Sequence, residues 1–546
     1  MVGVDEKVSL ESLLNKVFKV IGEVYQNKVE VITEAPSYKT YPFPTAYKGH
    51  NEWIDYILNN KDISYLTLPT GSGKTVIYLT AAAESGLRTL VIVPRNGLQM
   101  QVASYSTKMG VPILYLFDRI KMCNKDSSQP PCLRKFRKGN KWYLKLKDQI
   151  IEYPCPDCPY EIRKNIIKDL FSDNKCIAVM NQGNFWFLKT QAEFVIIDEA
   201  DETLRSITEA VSYPEWYESK DPYEVLAWMK EKVESTIKKV LSALEEVRNE
   251  NELMKLNLLL NKLERKLRKI EFFMTYPSSK LITYIKGKST YVEVFDEPIN
   301  VVRRLFPDTK VCLVTATPPL NVKTSDSTLP FRAKVIYAPI GNMSVKNIFG
   351  RNNEDLLEKA AEFIVKTYDY IVKLTGMKKA PIHCGNLSRH GIRIYEILKE
   401  NGFKVLLMEE GNQVQTIKEF LQGDYDFLCV VAAEYGYDWG FSPVQYILKV
   451  PYADLGDPRL QAIKKLIGED KFSEWYRWDA LTRVIQACGR NARGPNDFGV
   501  TIILDSCFEK LYKQFEDKIP KWFKERLIWL CGGGNNVQSR QWNFTS

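Results

Sequence analysis

The sequence predicts an α/β protein with two parallel-sheet domains, the first of which carries a cysteine-rich insertion and a helical insertion. Apolar strand patterns alternate with helical patterns over residues 46–118 and again over residues 330–525, which is the order of elements in a parallel sheet. Residues 194–197 are four apolar residues followed by acids, as in a buried parallel strand. Residues 224–275 repeat apolar side chains every three or four positions around a polar break at 248–252, which predicts an antiparallel helical hairpin.

Composition limits the class of protein. The chain has 546 residues, and 45% of them are hydrophobic, which excludes disorder as the main state. The sequence has no run of 18 apolar residues to predict a membrane span, and no basic segment leading into an apolar one to predict secretion. We therefore expect a cytoplasmic protein with no membrane partner, associated with the nucleoid if its source is prokaryotic. The net charge of +9 permits a nucleic-acid partner without requiring one.

The first 45 residues form an extension with a helical pattern. Its apolar side chains recur at helical spacing and predict an amphipathic helix: Leu10, Leu13, Leu14, Val17, Val20, Ile21 and Val24. We expect this stripe to pack on the body of the protein rather than on a partner.

A glycine-rich loop gives the strongest chemical signal. It lies between a short apolar stretch and a helical pattern, and its residues are Thr70, Gly71, Ser72, Gly73, Lys74 and Thr75. Strand, glycine loop and helix are the context in which backbone N–H groups close around phosphate oxygens. We expect Lys74 to reach the β- and γ-phosphates of ATP and Thr75 to ligate Mg²⁺. Leu68 occupies the position where the strict pattern has its first glycine.

The acids after the apolar run supply the second half of a nucleotide site. Asp198 and Glu199 would lie at the carboxyl edge of a buried strand. Asp198 is expected to hold Mg²⁺, usually through water, and Glu199 to orient the attacking water as a general base. Taken alone these residues also fit a solvated acidic loop, but the lysine loop favours the nucleotide site.

Four cysteines lie within 36 residues: Cys123, Cys132, Cys155 and Cys158. The last two form a C-x-x-C pair, which brings two thiols within reach of one metal. Four thiolates suit either zinc or an iron–sulfur cluster, and the spacing does not decide between them.

The same segment is strongly basic. Residues 119–150 contain ten Lys or Arg against two acids, with Phe136, Trp142 and Tyr143 interleaved. Cations attract phosphates and aromatic rings stack on bases, so the segment is expected to contact a single strand of nucleic acid. A solvated basic loop is the alternative.

Taken together, these motifs resemble those of superfamily 2 helicases. Residues 69–75 read P-T-G-S-G-K-T and residues 198–201 read D-E-A-D. Residues 91–95 resemble the segment that grips a nucleic-acid backbone, 313–318 motif III, 381–386 motif IV and 486–493 motif VI. The resemblance implies two RecA-like motor domains with ATP between them. It also implies that Gln486, Arg490 and Arg493 reach the nucleotide from the second domain, the arginines at the γ-phosphate.

Within that family the chain resembles the XPD/DinG branch, whose insertion carries an iron–sulfur cluster. Residues 119–123, 158–160, 450–452 and 475–476 carry this resemblance, which covers residues 46–525. It implies that the four cysteines hold a [4Fe–4S] cluster, that the helical hairpin is an arch domain, and that movement on DNA is 5′-to-3′.

Three positions depart from the branch. Asp201 stands where histidine is usual. Motif V has Tyr435 where glutamate is usual, but it keeps Gly436 and Asp438, and the resemblance places Asp438 at the nucleotide. His50 lies where many relatives have an adenine-reading glutamine. It takes that role, leaves adenine selection weak, or is a structural histidine.

The predicted domain order is an N-terminal helical extension (1–45), motor domain 1 (46–118), the iron–sulfur cluster domain (119–176), motor domain 1 with the D-E-A-D strand (177–213), the arch domain (214–277), the last part of motor domain 1 (278–325), motor domain 2 (326–530) and a flexible tail (531–546), with a hinge candidate at 324–328. The expected function is an ATP-dependent helicase that moves on single-stranded or forked DNA as a monomer, in DNA repair or genome maintenance. Two alternatives stay open: an ATP-hydrolysing remodeller that binds nucleic acid without separating strands, and an RNA helicase.

Overall fold

A computed structural model describes residues 9–117, 122–123, 131–146, 149–155, 157–173, 176–319, 329–348, 355–408, 412–431, 442–492 and 494–531. Several predictions lie outside these ranges: the hinge candidate, motif V with Asp438, Arg493, residues 119–121 and the tail beyond residue 531. Within the ranges, no helix is long and apolar enough to cross a bilayer.

The strands of the described residues are β1 Thr33–Glu34, β2 Ala46–Tyr47, β3 Ile63–Thr67, β4 Thr89–Val93, β5 Ile113–Tyr115, β6 Phe136–Lys138, β7 Lys141–Leu146, β8 Gln149–Glu152, β9 Ile177–Asn181, β10 Phe194–Ile197, β11 Val211–Tyr213, β12 Leu281–Lys286, β13 Ser289–Val294, β14 Lys310–Thr315, β15 Lys334–Gly341, β16 Ala380–His383, β17 Val405–Leu407, β18 Phe427–Val430, β19 Val444–Ile447, β20 Val500–Asp505 and β21 Leu527–Trp529. The α-helices are α1 Leu10–Gln26, α2 His50–Asn59, α3 Lys74–Ser85, α4 Asn96–Ala103, α5 Tyr105–Met109, α6 Pro159–Asp173, α7 Ala200–Thr208, α8 Pro222–Glu246, α9 Glu250–Phe273, α10 Pro298–Leu305, α11 Val345–Ile348, α12 Asp355–Thr375, α13 Ile392–Glu400, α14 Gln413–Gln422, α15 Pro458–Ile467, α16 Glu469–Cys488, α17 Cys507–Phe515 and α18 Lys521–Arg526.

The first parallel sheet has six strands in the order β3-β14-β10-β4-β9-β5. Its strand β10 pairs in parallel with β14 and β4, with Ile196 opposite Cys312 and Val91. All four residues of β10 are buried, because apolar clusters lie on both faces of the sheet. Parallel strands end at the same edge, so β3, β10 and β14 deliver the glycine loop, the acidic pair and residues 315–317 to one place.

The second parallel sheet has seven strands in the order β17-β18-β16-β19-β20-β15-β21. It confirms the second parallel α/β domain that the sequence predicts. The last strand, β21, lies just beyond residue 525 and pairs with β15 at the edge.

The N-terminal helix α1 packs on the second sheet domain. Its buried face consists of Leu13, Leu14, Val17, Ile21 and Val24. These side chains share a core cluster with Ile336 of β15 and with α12, and Arg332 donates through Nε to the carbonyl oxygen of Val24 at 2.8 Å. The expectation that the stripe packs on the body is confirmed.

The helical hairpin predicted for residues 224–275 is present as α8 and α9. Each helix begins at a capping side chain: Asp221 accepts from the N–H of Tyr223, and Asn249 accepts from the N–H groups of Asn251 and Glu252. The helices bury facing apolar residues in one cluster, so the stripes form the core of the hairpin.

The strands that follow the hairpin do not join the first sheet, which corrects the prediction for residues 278–325. β12 and β13 pair antiparallel, and β13 also pairs with β11, so the three form a separate sheet, here called the inserted sheet. Of this stretch only β14 enters the parallel sheet. The two-residue turn between Lys286 and Ser289 contains Gly287 at φ +63°, a geometry that joins adjacent antiparallel strands.

The inserted sheet also contacts the second sheet domain. Ile282 shares a buried cluster with Leu460 and Phe472 of helices α15 and α16. Beside this cluster Arg459 donates to the carboxylate of Glu293 through Nε at 2.7 Å and Nη2 at 2.6 Å. The insertion is therefore attached to the first domain by its chain and to the second by packing.

Candidate nucleotide site between the two sheets

The glycine loop follows β3 and leads directly into helix α3. Gly71 and Gly73 have φ of +84° and +79°, which glycine adopts without the steric cost a Cβ would bring. The loop is braced from within, because the Ser72 hydroxyl donates to the Pro69 carbonyl at 2.8 Å. Lys74 is the first residue of α3, and its Nζ donates to the Leu68 carbonyl at 3.1 Å. The loop therefore presents Lys74 at a helix N-terminus, a position suited to an anion.

His50 packs on this loop. Its Nε2 lies 2.8 Å from the Ser72 carbonyl oxygen and its Nδ1 2.7 Å from the Tyr41 hydroxyl. A carbonyl only accepts, so Nε2 carries the proton and Nδ1 accepts from Tyr41. Burial lowers the pKa of His50, which keeps the ring neutral. A Cβ at Gly73 would lie 2.8 Å from the ring, and both nitrogens face protein atoms, so His50 braces the loop and has no nitrogen left to read a base.

Asp198 follows β10 and is buried. Burial, and then the neighbouring Glu199 charge, raise its pKa to about 6, although Lys74 and a hydrogen bond from Tyr78 act in the opposite direction. The Tyr78 hydroxyl donates to Asp198 Oδ2 at 3.1 Å. Thr75 also bonds to the Tyr78 side chain, so Thr75 and Asp198 lie on either side of one hydroxyl.

Glu199 occupies the turn between β10 and α7 at φ +44°. Burial would raise its pKa, but the cations Lys74, Arg490 and Arg95 together hold the pKa below its ordinary value. Glu199 is therefore ionised at neutral pH. Arg95 is also paired with Glu202, with Nη2 2.8 Å from Oε1.

Asp201 joins the two sheet domains through a hydrogen-bond network. Its Oδ2 accepts from the hydroxyl of Thr315 and, at 3.1 Å, from that of Thr317. From the second domain, Gln486 Nε2 donates to Thr317 Oγ1 at 2.8 Å and to Asp201 Oδ2 at 3.3 Å. The aspartate in place of histidine accepts all of these bonds. Gln486 Oε1 is buried and has no hydrogen-bond partner among the described atoms.

An open cleft separates these groups. Thr70, Glu199 and Asp201 line it from the first domain, and Gln486 and Arg490 line it from the second. Of the predicted nucleotide-site residues, Thr70, Glu199, Gln486 and Arg490 line this cleft. Lys74 and Asp198 lie close enough to Glu199 to interact with its charge, while Asp438 and Arg493 lie outside the described residues.

Two residues of the site were absent from the sequence predictions. Tyr78 lies one helical turn after Lys74, so its position at the acidic pair was readable from the i, i+4 spacing on α3. Trp522 lines the cleft from helix α18, and no motif pointed to it.

The four predicted cysteine ligands are half-buried and lie near one another. Burial raises the pKa of Cys155 to about 11, and the thiol of Cys158 is the next cause. Cys132 and Cys123 raise it further, so all four thiols share one neighbourhood. In the part of the chain that the structure describes, no group of three or more His, Cys, Asp or Glu side chains is arranged to hold a metal ion.

Several basic and aromatic residues of the insertion contact the hairpin. Phe136 shares a buried cluster with Val240 and Leu244 of α8. Arg134 Nη1 lies 2.6 Å from the carboxylate of Glu250 at the start of α9. These side chains join the insertion to the turn end of the hairpin, so they differ from the expected base-stacking surface.

Two models of helicase domain families match parts of the chain. Residues 47–151 match the DEAD/DEAH box helicase domain, and residues 388–526 match the helicase C-terminal domain. No curated protein sequence matches.

Solved structures are similar along most of the chain. An XPD helicase is similar over 88% of this chain and 98% of its own, at 16% identity and a TM-score of 0.52. Xpd4 of S. tokodaii is similar over 89% of this chain and 99% of its own, at 14% identity and a TM-score of 0.48. The first of these structures shows a shared fold, and the two domain matches indicate ATP-dependent helicase activity. The chain therefore contains a DEAD/DEAH box helicase domain and a helicase C-terminal domain on a fold shared with an XPD helicase, and these domains indicate an ATP-dependent helicase.

Proposed function

We propose that this helicase moves 5′-to-3′ on single-stranded or forked DNA as a monomer and separates strands in DNA repair or genome maintenance, in the cytoplasm. One observation carries the choice of DNA. The cysteine-rich insertion lies between the glycine loop and the D-E-A-D strand of the first sheet domain, which is where the resemblance places the insertion of the XPD/DinG branch. Direction and pathway are supported by that resemblance alone.

ATP with Mg²⁺ supplies the phosphoryl group and a cation. In our proposal Lys74 binds the phosphates, Thr75 and Asp198 hold the cation, and Glu199 orients the attacking water. The residues suit these tasks. Nearby cations keep Glu199 ionised, and a cation beside the buried Asp198 would stabilise its charged carboxylate. Gly71, Ser72 and Gly73 offer backbone N–H groups to the phosphates.

The second domain completes the site. Gln486 bonds to Thr317 and Asp201 only when the two domains are together. The same closure brings Arg490 to the charge that develops during hydrolysis, with Arg493 proposed beside it and Asp438 at the nucleotide. Hydrolysis is thereby tied to the relative position of the domains, which is what stepping along a strand needs.

We propose that Cys123, Cys132, Cys155 and Cys158 hold a [4Fe–4S] cluster. Burial, and then the neighbouring thiols of Cys158, Cys132 and Cys123, raise the pKa of Cys155, so a bound cationic group would favour the thiolate forms there. The cluster would join three segments of the insertion, at residues 123, 132 and 155–158. The insertion would then be a rigid element against which a duplex is parted.

Strand separation tests the proposal. Labelled duplexes with a 5′ or a 3′ single-stranded tail, made of DNA or of RNA, are incubated with the purified chain and ATP. We expect separation of the 5′-tailed DNA. Glu199→Gln should lower ATP turnover at least about a hundredfold and abolish separation, because no carboxylate orients the water. Glu231→Gln, an exposed change on the hairpin, is the matched control.

Each other outcome has a defined meaning. Preference for the 3′-tailed DNA reverses the direction, and equal activity on RNA supports the RNA alternative. ATP turnover without separation of any duplex supports the remodeller.

Metal analysis tests the cluster separately. We expect close to four iron and four acid-labile sulfide per chain, as a [4Fe–4S] group requires. Cys155→Ser should lose iron and strand separation while it keeps ATP turnover, whereas Cys176→Ala, at a buried cysteine outside the set, should keep its iron. One zinc per chain and colourless protein would refute the cluster.

A further inference from the structure

We propose that Trp522 is a positioning residue for ATP hydrolysis, which holds residues 315–317 of the first domain against the second. It lies on helix α18 and is 4% exposed. Its indole Nε1 donates to the carbonyl oxygen of Ala316 at 3.0 Å, across the cleft and 206 residues away in the chain. This inference rests on the nucleotide site proposed above.

Ala316 is placed to transmit this contact. Its neighbours Thr315 and Thr317 both donate to Asp201, beside the acidic pair. Gln486 already binds Thr317 from the second domain, so Trp522 provides a second donor to the same short segment. Two donors on adjacent residues fix the direction of the segment as well as its position.

The indole is itself held in place. The guanidinium of the buried Arg526 lies 5.2 Å from its ring centroid, and the Phe523 ring packs 5.8 Å away at a steep angle. An ideal Cβ on Gly489 would lie 3.7 Å from the ring. Gly489 directly precedes Arg490, so the ring supports the turn that presents this arginine to the cleft.

The bond exists only while the domains are together. A buried indole N–H needs an acceptor, and this acceptor belongs to the other sheet domain. Opening the cleft breaks the bond between Trp522 and Ala316. The bond therefore stabilises the closed arrangement of the two domains relative to the open one. Closure brings Arg490 to the nucleotide, whereas the glycine loop binds ATP within the first domain alone. Loss of the bond should therefore lower kcat with little change in KM.

Trp522→Phe tests this because it keeps an aromatic ring and removes the donor. We expect kcat for ATP to fall about fivefold to tenfold, the effect of one lost hydrogen bond, with KM changed less than twofold. Trp529→Phe is the control: its ring contacts Tyr337 in the same cluster, and it makes no bond across the cleft in the described part of the chain. Unchanged kcat in Trp522→Phe overturns the proposal.

A spectroscopic measurement separates positioning from packing. The chain contains 11 tryptophans, so 5-fluorotryptophan labelling gives 11 ¹⁹F signals, and Trp522→Phe identifies one of them. That signal should shift when ADP or a non-hydrolysable ATP analogue binds, and a signal that ignores nucleotide overturns the proposal. Lys74→Ala is measured alongside. Turnover retained in Lys74→Ala refutes the nucleotide site itself, whereas its loss beside a normal Trp522→Phe refutes only the role of Trp522.

Discussion

In the absence of nucleotide and Mg²⁺, the carboxylate charge of Asp198 is unfavourable. The carboxyl is buried, and its pKa is raised to about 6, chiefly by burial and next by Glu199. The folded chain therefore keeps this proton to higher pH than the unfolded chain, in which the pKa is close to its ordinary value. The protonated Asp198 carboxyl therefore contributes to the stability of the folded chain at low pH, and this contribution is lost as the pH rises from about 4 to 6.

Asp198→Asn should stabilise the protein in the absence of nucleotide and Mg²⁺. Above pH 6 the wild type bears the cost of a buried carboxylate, on the order of 1–3 kcal/mol, and the amide does not. Urea unfolding at pH 7.5 and at pH 4.5 should show a larger gain for the variant at the higher pH. Asp169→Asn, at an exposed position on α6, should show no such pH dependence. Equal gains for Asp198→Asn at both pH values would contradict the buried charge.

At the scale of single residues, the sequence pointed to candidate chemical groups but not to the side chains around them. Lys74, Asp198 and Glu199 could be proposed for the nucleotide site because their motifs are local in the chain. Tyr78 reaches Asp198 across 120 residues, although its i, i+4 spacing from Lys74 on α3 is a local pattern. Trp522 touches the site across 206 residues, and such a contact leaves no local pattern. His50 was left open for the same reason, since the role of a histidine depends on what its two nitrogens meet.

Helix α16 is the element that links the insertion to the nucleotide cleft. Near its start Phe472 shares a cluster with Ile282 of the inserted sheet, and in its last turn Gln486 reaches Asp201. About 20 Å of helix separates these two positions, at 1.5 Å per residue. A helix of this length moves as one body, so opening the cleft should displace the inserted sheet.

The pair of Arg459 and Glu293 should carry much of this contact. The Glu293 side chain is only 8% exposed, and the Arg459 guanidinium meets it with two bonds. A double-mutant cycle with Arg459→Met and Glu293→Gln, followed by urea unfolding, should give a coupling energy of about 1–3 kcal/mol. Each single variant should also lower strand separation more than ATP turnover.

A second pair serves as the control for that cycle. Lys286 of the inserted sheet and Asp457 at the start of α15 lie 3.2 Å apart but are more exposed, so their coupling should stay below about 0.5 kcal/mol. Similar coupling in both cycles would mean that the buried pair has no special part in the contact.

Elements were predicted more reliably than their partners. The hairpin and both parallel sheets follow from periodicity, which reports which faces are buried. Strands β12 and β13 were recognised as strands but assigned to the wrong sheet. The pattern of a strand does not predict which sheet the strand will join. Here the short turn at Gly287 pairs β12 with β13 in the inserted sheet.

On the scale of the whole molecule, the contacts form a closed path. The cysteine-rich insertion meets the turn end of the hairpin, the inserted sheet meets the second sheet domain, and the second domain meets the first at Asp201. Sequence motifs predicted the two sheet domains and the cleft between them. They did not predict the closed path, because it is made by ordinary apolar and charged side chains that belong to no motif.

Helix α1 has a consequence for how the chain is made. Its apolar face enters a core that includes Ile336 and helix α12, and the ribosome synthesises these more than 300 residues later. At bacterial and eukaryotic rates of synthesis, Leu13, Val17 and Ile21 wait roughly 15–60 s for a surface to bury them. The second sheet domain in turn takes into its core a helix that is synthesised long before its own strands. Helix α1 therefore cannot complete its packing when it is synthesised. A chaperone that binds nascent chains would meet its apolar face exposed.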